Sequence, residues 1–210
     1  MHPVAEDILT FWFETADLSA VFERRQVWFR STPEFDREIA ERFGEIQERA
    51  AGGAFDGFVG TREECLALIL TLDQFPRNIF RGTPRAFGSD AKAREIARIA
   101  LDRGHDEGLC PAFKVFFYLP FEHSESLADQ ERALTLYRGL GEERALQAAI
   151  GHHDAIRRFG RFPHRNAVLG REDTPEEAEY LKAPPSWGLT AAEFAEWERE
   201  KEERERATAV

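Results

Sequence analysis

The 210-residue chain predicts an all-α fold of antiparallel helix hairpins stacked in one compact domain. Three observations carry that prediction. Apolar residues recur at three- and four-residue spacing through most of the chain. The segments so marked are joined by Gly and Pro turns. Nowhere does sustained alternation with β-branched enrichment mark a strand. A hydrophobic content of 42% beside 32% charged residues suits a globular protein, and the length favours one core over two. Residues 1–185 are expected to form that domain, and 186–210 a charged helix or tail in which Glu alternates with Arg and Lys.

Pro3 suits a first helical turn, and Ile8, Leu9, Phe11 and Trp12 form its apolar face. Residues 19–30, with Val21, Phe22, Val27, Trp28 and Phe29, form a short helix or irregular turn. Pro33 opens a helix with Phe35, Ile39, Phe43 and Ile46 on one side, stopped at Ala51-Gly52-Gly53. Thr61-x-x-Glu64 is a capping box leading into CLALILTLDQF, apolar nearly all round and therefore central. At about 100° per residue Asp73 projects with Leu66, Ile69 and Leu70, where a carboxylate is costly unless paired. Pro76 is expected to break this helix.

Ser89 is the expected N-cap of an amphipathic helix closed by Gly104. Pro111 starts a second all-apolar helix, expected to end at Pro120 and followed by Glu122, His123, Ser124 and Glu125. Ser126-x-x-Asp129 opens a helix to about Leu140, and Gly141 separates it from the one carrying His152 to Phe159. Thr174-Pro175-Glu176-Glu177 and Thr190-x-x-Glu193 are further helix starts.

A formal charge of −11 excludes a general binder of nucleic acid or anionic membrane, both of which need broad positive potential. The N-terminus lacks the cationic start of a signal peptide, and no run approaches the ~18–20 apolar residues of a membrane helix. Cys65 and Cys110 lie far apart in apolar contexts, as reduced core cysteines of a cytoplasmic protein do. No metal or cofactor motif is present.

The sign of the charge reverses in residues 155–171, which hold Arg157, Arg158, Arg161, Arg165 and Arg171 without a carboxylate. His152 and His153 fall on the mostly apolar side of their helix; Asp154 and Arg158 lie opposite, in favourable acid-before-base order. The histidines either donate to a backbone carbonyl or carboxylate, or face a ligand. The adjacent His153-Asp154 is also a fragment of a metal-dependent phosphohydrolase pattern, but the arginines beside it would repel a cation. Phe75-Pro76-Arg77-Asn78 and Phe162-Pro163-His164-Arg165-Asn166 echo each other, each with Gly four residues after the Asn. In both, the Asn is expected to accommodate left-handed backbone angles after the Pro stop.

The strings LDQFPRNIFRGTPRAF (72–87), DAKAREIA (90–97), FFYLPFEHSESLADQER (116–132) and HHDAIRRFGRFPHRNAVLGRE (152–172) closely resemble a bacterial family catalogued as domain of unknown function 924. The resemblance covers most of residues 5–182 and implies a tetratricopeptide-like helical superhelix, although no clean repeat is visible. Its pattern, His-x-Asp followed by Arg-Phe-Gly-Arg-Phe-Pro-His-Arg-Asn, falls on His152, Asp154, Arg158, Arg161, His164, Arg165 and Asn166. The family brings no established reaction.

Three functions remain open. In a binding protein for a small anion or acidic peptide end, Arg77, Arg158, Arg161 and Arg165 hold the anion and Asn78 and Asn166 donate amides. Asp73, Glu122 and Asp154 then orient the arginines. In an enzyme at the same place, Glu122 or His123 is the general acid or base. In a scaffold for protein partners, the cluster with His152 only locks the helices together.

Overall fold

The computed structural model describes residues 1–21 and 24–208, so Phe22 of the second apolar segment lies outside the described residues. Among the described residues ten α-helices follow in order: α1 (Pro3–Phe13), α2 (Pro33–Ala51), α3 (Arg62–Ile69), α4 (Phe75–Ile79), α5 (Asp90–Asp102), α6 (Pro111–Glu122), α7 (Leu127–Leu140), α8 (Glu143–Phe159), α9 (Pro175–Tyr180) and α10 (Ala191–Thr208). No strand occurs among the described residues.

The starts follow local chemistry. Thr61 Oγ1 accepts from Glu64 N–H, and Thr174 and Glu177 form a complete capping box. The expected caps at Ser89 and Ser126 do not form: neither side chain bonds its helix start. Ser89 is engaged elsewhere, because Pro76 does not break the central helix. Between α3 and α4 the chain widens into a π-turn over Leu70–Gln74, in which Phe75 N–H reaches back to the Leu70 carbonyl. Pro76 has no N–H for the carbonyl of Leu72, four residues earlier, and the Ser89 hydroxyl donates to that oxygen at 2.6 Å. The helix therefore continues past its proline and carries Asp73 inward. Pro120 likewise lies inside α6, which runs two residues further and delivers Glu122 and His123.

Packing of α1 on α3, α5 on α6, α6 on α7 and α7 on α8 builds the body, with α2 against α4. The core is aromatic: Trp12, Phe13, Trp28, Phe75 and Phe116 meet edge-on, tilted or stacked. The carbonyl of Trp12, at the end of α1, accepts from both Trp28 Nε1 and Arg25. Gln130, fully buried at the start of α7, caps α6 by donating to the carbonyls of Glu122 and Ser124. Among the described residues no helix is long and apolar enough to cross a membrane. Cys65 and Cys110 are free thiols, and burial pushes Cys65 up to about 12.

Candidate polar site between the central helices

Four elements converge here: the π-turn, the C-terminus of α6, the middle of α8, and the single 3-10 turn Pro163–Arg165 that follows it. Asp73, fully buried, meets the His123 ring nitrogen Nδ1 at 2.9 Å and takes a further bond from Gln74. Burial alone would raise its pKa. The charge of Arg77 and the hydrogen bonds from His123 and Gln74 outweigh burial and hold Asp73 below the ordinary carboxylate range. His123 is shifted down, first by burial and then by Arg77. A neutral imidazole with its Nδ1 proton on Asp73 keeps Nε2 as an acceptor, and among the described residues none bonds that nitrogen.

Glu122 lies beside this pair, 3% exposed, with Oε1 3.1 Å from His152 Nδ1. Burial pushes its pKa up to about 7, against the opposing pull of Tyr137 and Arg24. His152 is driven well below its ordinary value by burial, and its Nδ1 donates to the Ala148 carbonyl at 2.9 Å. With that proton on Ala148, Glu122 and His152 lie in close contact without forming an ion pair. The buried Tyr137 hydroxyl neighbours the same carboxyl and is raised well above its usual pKa, by burial and then by Glu122.

The echoed Pro-Arg-Asn turns meet in space. Arg77 forks onto Asp90 at 2.9 and 3.0 Å, and Arg165 approaches the same carboxylate only to 3.8 Å. Both guanidinium groups lie over Phe87, and Arg165 also lies over the Phe162 ring at 4.4 Å. Arg165 is 7% exposed and its Nε has no hydrogen-bond partner. Burial, and then Arg77, lower it to about 10. His164, beside it, has an unpartnered buried Nδ1 and is pushed down to about 3 by burial and then by Arg165. The expected left-handed Asn is corrected: Asn166 is right-handed at φ −58°, and the glycines Gly82 and Gly170 carry φ +73° and +64°. Each Asn instead donates to an Asp, Asn78 to Asp36 and Asn166 to Asp173.

The structure thus gathers Asp73, Arg77, Glu122, His123, His152, His164 and Arg165. Asp154, Arg158 and Arg161 sit on the outer side of α8 and beyond it. Arg158 turns to Glu176 at 2.7 Å rather than to Asp154, which lies near Arg157 and His153. Arg161 forks onto Glu177 of α9. Residues missed by the sequence reading are Asp90, Tyr137, Arg24 and Trp187, whose ring stacks on His152 at 3.8 Å. Two echoed arginines lacking a local acid were the available signal for Asp90. Among the described residues no group of three His, Cys, Asp or Glu side chains is placed to hold a metal ion.

Residues 8–185 match the family described as "Bacterial protein of unknown function (DUF924)", and the chain belongs to that family. A solved protein of unknown function from Agrobacterium tumefaciens, ATU0120, is 44% identical, with a TM-score of 0.77. The match covers 85% of this chain and 96% of that one. Among curated proteins none matches.

Proposed function

We propose that the chain binds a small carboxylate- or phosphate-bearing ligand in this polar cluster, with Arg165 as its counterion. The observation that carries the reading is the incomplete pairing of Arg165. Its nearest carboxylate is already forked by Arg77, and a dehydrated guanidinium without a full partner is expensive to keep. A planar fork matches a carboxylate or phosphate. Arg77, Arg158 and Arg161 are engaged by protein carboxylates and are not the ligand's principal contacts in this reading. Thermal-shift titration with acetate and inorganic phosphate tests it. Both are expected to raise the melting point of the parent and of Arg161→Ala, and to do nothing for Arg165→Gln. A shift that survives Arg165→Gln, or no shift in the parent at tens of millimolar, sinks the proposal.

A second reading, an acid–base enzyme at the same cluster, is favoured by the Asp73–His123 pair. An imidazole oriented through Nδ1, with Nε2 unbonded, is the arrangement of a general base, and a carboxyl raised to about 7 is matched to proton transfer near neutrality. Slow turnover of p-nitrophenyl acetate or p-nitrophenyl phosphate is expected, lost in His123→Gln and retained in Arg161→Ala. Rates equal in parent and His123→Gln would remove this reading and leave the binding reading untouched.

A further inference from the structure

The cluster is nearly closed, and the side chain that closes it comes from the far end of the chain. Trp187 lies flat on the His152 ring, 23° from parallel, with Phe162 and His164 presenting their rings at steep angles around it. Gly151 makes room for this ring: a Cβ there would stand 2.8 Å from Trp187 Cζ2. Glycine is a poor residue for the middle of a helix, so its place here answers to the ring beside it. The walls of the seat, Gly151, His152, Phe162 and His164, lie inside residues 8–185 matched by the family, and Trp187 lies outside them.

The segment that delivers Trp187 is lightly held. Arg30 donates to Ser186 Oγ, Arg81 to the Gly188 carbonyl and Trp197 Nε1 to the Pro184 carbonyl; Ala191 N–H donates to the Ser31 carbonyl. Gly188, at φ +74°, allows a swivel directly after the tryptophan. The indole also borders an open cleft of about 290 Å³, shared with Pro184, Pro185, Leu189 and Trp197. Few polar anchors and a half-exposed ring are the marks of a segment that opens locally without unfolding the core.

We propose that the seat of Trp187 is a subsite for a planar aromatic or heteroaromatic ring of the ligand, which Trp187 occupies in cis until the ligand displaces it. The inference rests on the reading that the cluster binds a ligand, and it narrows that ligand to a ring-bearing acid. A neutral, buried imidazole face with two further rings around it favours a flat π-system over a branched aliphatic group. Departure of the indole also uncovers His152, and behind it Glu122, which the resting structure keeps almost sealed.

The test titrates the full chain and its Trp187→Ala variant with two probes, neutral indole and anionic benzoate, following the imidazole resonances of His152 and His164 by NMR. Trp187→Ala is expected to bind both probes at least tenfold more tightly than the parent, with benzoate ahead of indole. Adding Gly151→Ala to that variant puts a methyl group in the seat and should weaken both at least tenfold. In the otherwise intact chain, Gly151→Ala alone should evict Trp187, seen as red-shifted tryptophan emission and altered His152 resonances. That arm keeps the proposal testable should Trp187→Ala fold poorly. Indole binding to neither protein, or equally to both, overturns the ring subsite, as does unchanged emission in Gly151→Ala. Indole binding to Trp187→Ala with benzoate no tighter leaves the subsite standing and removes the anion reading. Benzoate binding equally to parent and variant, with no indole binding, does the reverse.

Discussion

At Glu122 burial sets the sign of a pH dependence. Its folded pKa of about 7 exceeds the ordinary 4.5, so the native protein keeps a proton that the unfolded chain releases. The stability tied to that proton is fully present below pH 4.5 and lost as pH rises through 7. A displacement of about 2.5 pKa units corresponds to roughly 3 kcal/mol at pH 8. Glu122→Gln keeps the shape and cannot ionise, so it should recover much of that loss at pH 8 and little at pH 5. Denaturant melts of both proteins at the two pH values check this, and parallel pH profiles would show that Glu122 titrates normally. His152 and His164 act oppositely: both are depressed by burial, so their contributions are complete above pH 6.5 and erode as pH falls. Asp73, Glu122, His123 and His152 are legible in the sequence because a polar group on an apolar helical face must find a partner. Arg158 and Arg161 are legible only as an excess of charge. Their partners Glu176 and Glu177 come from a later helix whose docking no local pattern reveals.

At the scale of the element, proline and its compensation decide how the central helix runs. The caps at Thr61, Thr174 and Thr190, the glycine stop at Gly141 and the helical spacing are local, and each is found where the residues put it. The behaviour of Pro76 is not local. A proline inside a helix frees the carbonyl four residues back, and the helix continues only if something else bonds that oxygen. The donor is Ser89, seventeen positions away in sequence, so the expectations of a break at Pro76 and a cap at Ser89 failed together and for one reason. The geometry makes a sharp forecast. Ser89→Ala should leave the buried Leu72 carbonyl without a donor and cost about 1–3 kcal/mol, the desolvation penalty of an unsatisfied polar group. A change near 0.5 kcal/mol or less in a denaturant melt would show that the π-turn supports itself. Because Asp73 sits in that turn, the same variant should disturb the His123 ring resonances, whereas Thr174→Ala, costing about 1 kcal/mol at the distant α9 cap, should not.

On the scale of the whole molecule, the hydrophobic core and the C-terminal segment answer to different forces. The buried apolar side chains run from Ala5 to Phe162, and among the described residues none after Glu177 is fully buried. Helix α10 is dominated by Glu, Arg and Lys, several paired at i,i+4 on its surface, and such exposed pairs stabilise little. What fastens residues 184–194 to the body is a few single hydrogen bonds from or to Ser31, Arg30 and Arg81, the Trp187 stack and the Arg30 guanidinium over Phe194. Cooperative stability should therefore reside in the part that the family shares. A chain ending at residue 185 is expected to fold with the same steepness of denaturation and to lose only about 1–3 kcal/mol. That is the scale of one half-buried aromatic contact plus a few exposed hydrogen bonds. The measurement is a pair of denaturant melts with the slopes compared, since an unchanged slope reports an unchanged core. A shortened chain that melts broadly or fails to fold would make residues 186–210 part of the folding unit. Retention of a steep transition, with the His152 ring newly open to solvent, would mark the C-terminal segment as a cover laid over a finished domain.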